Sequence, residues 1–308
     1  CVFPVWRYRI SCTLRSSRKD MVATVRTRWN WHLPVLRGSI GNRVEIRPVP
    51  TGARRGLFRL AMVNIGVGDL RLRMDERRNA TRAIVVAAMI YPTVLTLAYF
   101  RWLDDAGPFL QRGVFQGGKL IQFLLPLVWV WWVLKQKPKW TLPRRRELLE
   151  NLAFGAVVLV AILLLYHLLL APQGVFEQAQ PQIEAKVQEM GVDSPLWFIA
   201  LGVFYALGHS LLEEYYWRWF VFRQLRERMS DIWANVISSL GFMAHHVVLM
   251  VTFFGLFSPW TWFFSISVAI GGSYWAWSYQ RHGSLYGPWA GHLLVDAGIF
   301  IVGYDLVF

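Results

Sequence analysis

Residues 152–170 read LAFGAVVLVAILLLYHLLL. A bilayer hydrocarbon core about 30 Å thick is crossed by about 20 predominantly apolar residues in a helix, and this run has that length. Working outward from it, six more stretches beyond Arg82 read as spans: 83–100, 120–134, 196–219, 233–254, 260–279 and 288–307. The fold class that follows is all-α, a polytopic membrane bundle of about seven transmembrane helices. The stretch 120–134 is short for a span and carries Gln122 and Pro126.

Composition agrees. The chain has 308 residues, of which 55% are hydrophobic and 17% charged, with 17 Trp, 20 Phe and a mean hydropathy of +0.33. So few charges do not cover a water-soluble surface, and the composition excludes a disordered chain, a collagen-like repeat and a disulfide scaffold. The net charge of +14 is unevenly placed: residues 1–73 hold 15 Lys and Arg against 3 Asp and Glu, so +12 of it sits there. Both cysteines, Cys1 and Cys12, lie in that segment, which leaves the body without thiolate or disulfide chemistry.

Residues 1–73 show no sustained apolar period and are expected to be an unstructured basic arm. Such an arm suits an anionic lipid surface or a nucleic acid, and an Arg-rich, acid-poor segment also resembles a transit peptide. The plainer reading is a mis-set start, Met62 and Met74 each being a natural beginning. The expected organisation is this arm, then helices 1–3 over 74–195, then a core of helices 4–7 over 196–308. The lipid bilayer is the expected environment, and no nucleic-acid partner is expected.

Loop charge orients the spans, because cytoplasmic loops collect Lys and Arg. Arg77, Arg78 and Arg82 precede span 1, Lys135, Lys137 and Arg144–Arg146 follow span 2, Arg223, Arg226 and Arg228 follow span 4, and Arg281 follows span 6. The alternate loops are poor in base. This pattern predicts a cytoplasmic N-terminus, and Trp129, Trp131, Trp132, Trp140, Trp260 and Trp262 fall where interfacial aromatic belts are expected.

Ionisable groups inside spans cost roughly 2.5–3.5 kcal/mol each on insertion scales and mark function by default. Here they gather in three spans: GHSLLEEYYWRWF (208–220), GFMAHHVVLM (241–250) and GPWAGHLLVDAG (287–298). Helical spacing pairs Glu214 with Arg218, His209 with Glu213, Phe242 with His246 and His292 with Asp296, each one turn apart. The opposed directions of the spans bring Glu213, His246 and His292 to comparable depth, in a cavity expected to open to the cytoplasm. A carboxylate in a low-dielectric cavity suits a general base that activates water, and imidazoles opposite it can polarise a peptide carbonyl or bind a divalent metal. Taken singly, Glu214–Arg218 serves equally as a structural tie, His209 as a core histidine, and His167 as structural. His245 points about 100° from His246 and reads as packing or a carbonyl tie.

Glu213-Glu214-x-x-x-Arg218, Phe242-x-x-x-His246 and His292-x-x-x-Asp296, in this order, resemble the EExxxR, FxxxH and HxxxN/D motifs of the CPBP intramembrane proteases. That family includes the type II CAAX prenyl endopeptidases (Rce1-like) and the Abi bacteriocin-immunity proteins. The resemblance covers about residues 196–300 and implies an endopeptidase acting on a membrane-embedded or lipid-modified protein. It implies that Glu213 activates water with help from His246, that His292 and Asp296 stabilise the oxyanion, and that Glu214 and Arg218, with Phe242 of the second motif, support the site. Asp296 stands where eukaryotic-type members carry Asn. Either a metal-free scheme or a divalent metal such as zinc, held by Glu213, His246 and His292, fits the residue types, although HExxH is absent. Two other classes compete: a non-catalytic immunity or partner-binding membrane protein, and a proton-coupled carrier, against which stands the lack of an inverted repeat. A rhomboid-like serine site finds no support around Ser210. The expected location is the bacterial inner membrane.

Overall fold

The computed structural model describes residues 11–17, 20–26, 36–38, 67–137 and 141–308, and the side chains of 76–137 and 141–308. Cys1, Met62 and Trp140 lie outside the described residues. The chain divides into two units, Cys1–Thr81 and Arg82–Phe308. In the first, where an unstructured arm is expected, three strands form an antiparallel meander: β1 (Ser11–Ser17), β2 (Asp20–Arg26) and β3 (Leu36–Gly38), with Ser17 opposite Asp20 and Met21 opposite Gly38. The β-branched residues Val22, Thr24 and Val25 favour an extended strand.

The second unit is a helical bundle. Its elements are α1 (Val67–Leu97, entering from the first unit and continued by a π-helical turn Ala98–Trp102), α2 (Pro108–Val133), α3 (Arg145–Leu170) and α4 (Gln180–Met190). There follow α5 (Pro195–Arg226), α6 (Asp231–Phe254), α7 (Pro259–His282) and α8 (Tyr286–Val307). Six of these, α1, α2, α3, α5, α6 and α8, are long and apolar enough to cross a membrane. The protein is an integral membrane protein built on an all-α polytopic bundle. The expected sixth span, α7, is as long as α6 but less apolar, its sequence being rich in Ser, Gly, Tyr and Trp.

Local signals explain the boundaries. Ser194, Ser230 and Ser258 cap α5, α6 and α7 by accepting from the backbone N–H of Trp197, Trp233 and Trp260, and Pro195 and Pro259 occupy the first helical positions. Gly283, at φ 71°, ends α7 in the left-handed conformation that costs a side-chain-bearing residue energy. A short turn through Gly255 returns α7 antiparallel along α6. Two expected boundaries move. The second span begins at Pro108 rather than at 120, because the Gly107–Pro108 start signal launches a helix through the polar, Gly-rich 109–119. The loop expected over 171–195 contains the amphipathic α4.

Packing is inverted relative to a soluble protein. Ile121, Val157, Leu164, Ile199, Val203 and Ile270 point outward, as lipid contact requires. The interior is built on the C-terminal half of α5, where Tyr216, Trp217, Phe220 and Phe222 are fully buried against Ala88 of α1, Phe242 of α6 and Trp275 of α7. Tyr216 donates its hydroxyl to the Ala88 carbonyl at 2.7 Å. The extensive contact of α3 with α8 depends on two glycines. A Cβ on Gly155 would stand 2.5 Å from the Gly291 carbonyl oxygen, and one on Gly291 would stand 2.9 Å from that of Asn151. Small residues let membrane helices approach this closely.

Candidate active site

The site grows from the middle of α5. Ser210–Glu214 is an α-helical segment between two π-helical stretches, Tyr205–His209 and Tyr215–Phe222. The wider π turns rotate the residues that follow them, and such insertions cluster at functional sites. The first stretch precedes Glu213 and Glu214, which face inward at 4% and 0% exposure, although a helix crossing lipid has no use for two adjacent carboxylates there.

Glu214 belongs to a rigid support. Its Oε1 lies 3.1 Å from Arg218 Nη1, one turn on, and accepts a hydrogen bond of 2.9 Å from His292 Nδ1. The Arg218 guanidinium also donates from Nη2 to the Gly272 carbonyl at 3.2 Å, and lies 4.7 Å from the Phe242 ring centroid and 5.3 Å from that of Trp275. A Cβ on Gly272 would come within 3.2 Å of Nη2, so the missing side chain admits the guanidinium. Phe242, predicted as a site residue, thus contributes a ring face to a buried cation.

Glu213 faces imidazoles. Among the described residues, the ring nitrogens within ion-pair distance are His245 Nε2 at 3.6 Å, His292 Nε2 at 3.8 Å and His209 Nε2 at 3.9 Å. These separations are longer than direct hydrogen bonds of good geometry and within the reach of a charge–imidazole contact. His292 stacks on Trp275 with centroids 4.1 Å apart, and its Nε2 is also 3.5 Å from Asp296 Oδ1. Both of its nitrogens therefore meet carboxylate oxygens.

The structure brings together all the residues predicted from the motifs: Glu213, Glu214, Arg218, Phe242, His246, His292 and Asp296. It reverses one orientation. His245, expected to point away, faces Glu213, and His246 stands beside it with ring centroids 4.1 Å apart. The His246 Nδ1–H donates to the Phe242 carbonyl at 3.0 Å, which leaves Nε2 as the acceptor of the neutral ring. The signal that finds His245 is the buried stripe Ala234, Ser238, Gly241, His245, spaced 4, 3 and 4 along α6. For His209, it is the i,i+4 relation to Glu213.

The donor set does not fit a preformed metal centre. Among the described residues, no group of three His, Cys, Asp or Glu side chains is placed to hold a metal ion. Of the three expected ligands, His292 Nε2 lies near Glu213, but His246 has no ring nitrogen within ion-pair distance of it, His245 and His209 standing there instead.

Residues 195–298 match the family profile described as Rce1-like, type II CAAX prenyl endopeptidase. This is the group that the three motifs resemble, and the matched segment contains every residue of the cluster. No curated protein and no solved structure matches the chain.

Proposed function

We propose, with the Rce1-like domain over residues 195–298 as premise, that the protein is an intramembrane endopeptidase of the CAAX-processing type, cutting a membrane-embedded or lipid-modified protein with water activated by Glu213. The observation that carries this reading is one buried carboxylate with three imidazole nitrogens at 3.6–3.9 Å.

In the proposed reaction Glu213 takes a proton from a water that hydrogen-bonds to its carboxylate in the pocket it shares with the His245 ring. The resulting hydroxide adds to the scissile carbonyl carbon. The carbonyl π pair moves onto oxygen, where His292 Nε2 and its neighbour Asp296, when protonated, donate to the oxyanion. Collapse re-forms the C=O and breaks the C–N bond, and the proton taken by Glu213 passes to the leaving amine. Glu214 and Arg218 do not touch the reacting atoms. They hold the His292 ring, one by the Nδ1 bond and the other by fixing that carboxylate. In this reading the site opens to the cytoplasm and the protein sits in the inner membrane of a bacterium.

The test compares peptide termini across the membrane proteome of cells carrying wild-type protein or Glu213→Gln at matched levels. Termini that vanish in the variant identify proteolysis and its substrate. Identical termini with a preserved phenotype would replace this reading with a binding or immunity role.

A further inference from the structure

Lys119 lies outside the family match, near the middle of the 26-residue α2. The expected span 120–134 begins one residue beyond it, and the start of α2 at Pro108 carries it into the span. Among the described residues its ammonium has no ion-pair partner. It lies 5.6 Å from the centroid of Phe115 and 5.7 Å from that of Phe123. Phe123 meets His209 edge-on at 6.1 Å, and His209 Nε2 is 3.9 Å from Glu213. One ring and one imidazole thus separate a half-buried cation from the candidate base.

A cation held within a membrane span over aromatic faces is costly unless an anion completes it. Its distance from the ends of α2, about 16 Å from Pro108 at 1.5 Å per residue, favours a ligand that enters the site over a lipid headgroup. If the CAAX-processing reading holds, the substrate brings such an anion. A CAAX box lies at the C-terminus of its protein. Cleavage after the prenylated cysteine therefore places the scissile bond three residues from a free α-carboxylate, about 10 Å in an extended chain.

We infer that Lys119 is the anchor for the C-terminal carboxylate of the substrate, so that the distance from Lys119 to Glu213 selects which peptide bond is cut. This rests on the function proposed above and adds a specificity determinant from a helix outside the matched domain. Lys119 forms no covalent bond in this role. It pairs with the carboxylate through a charge-assisted hydrogen bond while Glu213 acts on the bond three residues away.

The test uses the full-length protein in detergent and two farnesylated CAAX peptides, identical except that one ends in a carboxylate and the other in an amide. Both binding and cleavage are measured for wild type, Lys119→Met and Lys119→Arg. The expected wild-type result is at least tenfold tighter binding of the acid. Lys119→Met should lose that preference while binding the amide as wild type does, and Lys119→Arg should keep most of it. Equal wild-type binding of acid and amide, or an equal loss of both in Lys119→Met, would overturn the assignment. Binding that discriminates without cleavage of either peptide would retain the anchor and remove the protease reading.

Discussion

Gly155→Ala tests whether helix packing sets the geometry of the site from a position that touches none of its reacting groups. The new Cβ would stand 2.5 Å from the Gly291 carbonyl oxygen and 3.0 Å from both the Gly291 Cα and the Leu294 Cβ. Two of these three are backbone atoms and cannot swing aside. Relief to an ordinary contact needs α3 and α8 to part by about 0.5–0.9 Å. Overpacking of this kind costs about 1–3 kcal/mol. Gly291 precedes His292, so the same displacement draws the imidazole away from Glu213 and Glu214. A 1 Å misplacement costs about 100-fold in rate, and the expected fall in kcat/KM is therefore about 10- to 100-fold, with a lowered unfolding midpoint. Gly208→Ala is the control. Its Cβ meets only the Phe204 ring at 3.5 Å, an ordinary contact, so stability should hold or rise slightly. Both quantities are measurable on purified protein, by thermal unfolding and by cleavage of a farnesylated CAAX peptide. Wild-type stability and activity in Gly155→Ala would refute the claim that this crossing positions His292.

Arg218→Met should destabilise the fold by about 3–5 kcal/mol, because it leaves the fully buried Glu214 without its guanidinium. The double variant with Glu214→Gln should recover much of that loss in the same unfolding measurement, and no recovery would contradict the pairing. His245→Phe should lower the cleavage rate as severely as His246→Phe while the unfolding midpoint stays near wild type. An active His245→Phe would remove His245 from the chemistry despite its 3.6 Å approach to Glu213.

The membrane bundle and the core of the site were legible in the sequence for a physical reason. Apolar runs of span length declare themselves, and carboxylates or imidazoles within them are too costly to be incidental. The i,i+4 pairs Glu214–Arg218 and His292–Asp296 are local, so regular helix geometry places each pair correctly before any tertiary contact is known. Three features were not legible. The choice between His245 and His246 depends on which stripe of α6 turns inward toward α5, whose own phase is altered by π-helical turns at Tyr205–His209 and Tyr215–Phe222. Lys119 was hidden because Gln111, Arg112, Gln116, Gly117 and Gly118 depress the hydropathy of a segment that is nonetheless helical. The pairing of α3 with α8 turns on what faces Gly155 and Gly291, which no local pattern states.

The measurement that tests the central claim most directly is the cleavage rate of purified Glu213→Gln beside wild type on the farnesylated acid peptide, with unfolding midpoints matched. Removing the base while keeping the side-chain shape should lower the rate by about 100- to 10,000-fold. A rate within threefold of wild type would contradict water activation by Glu213.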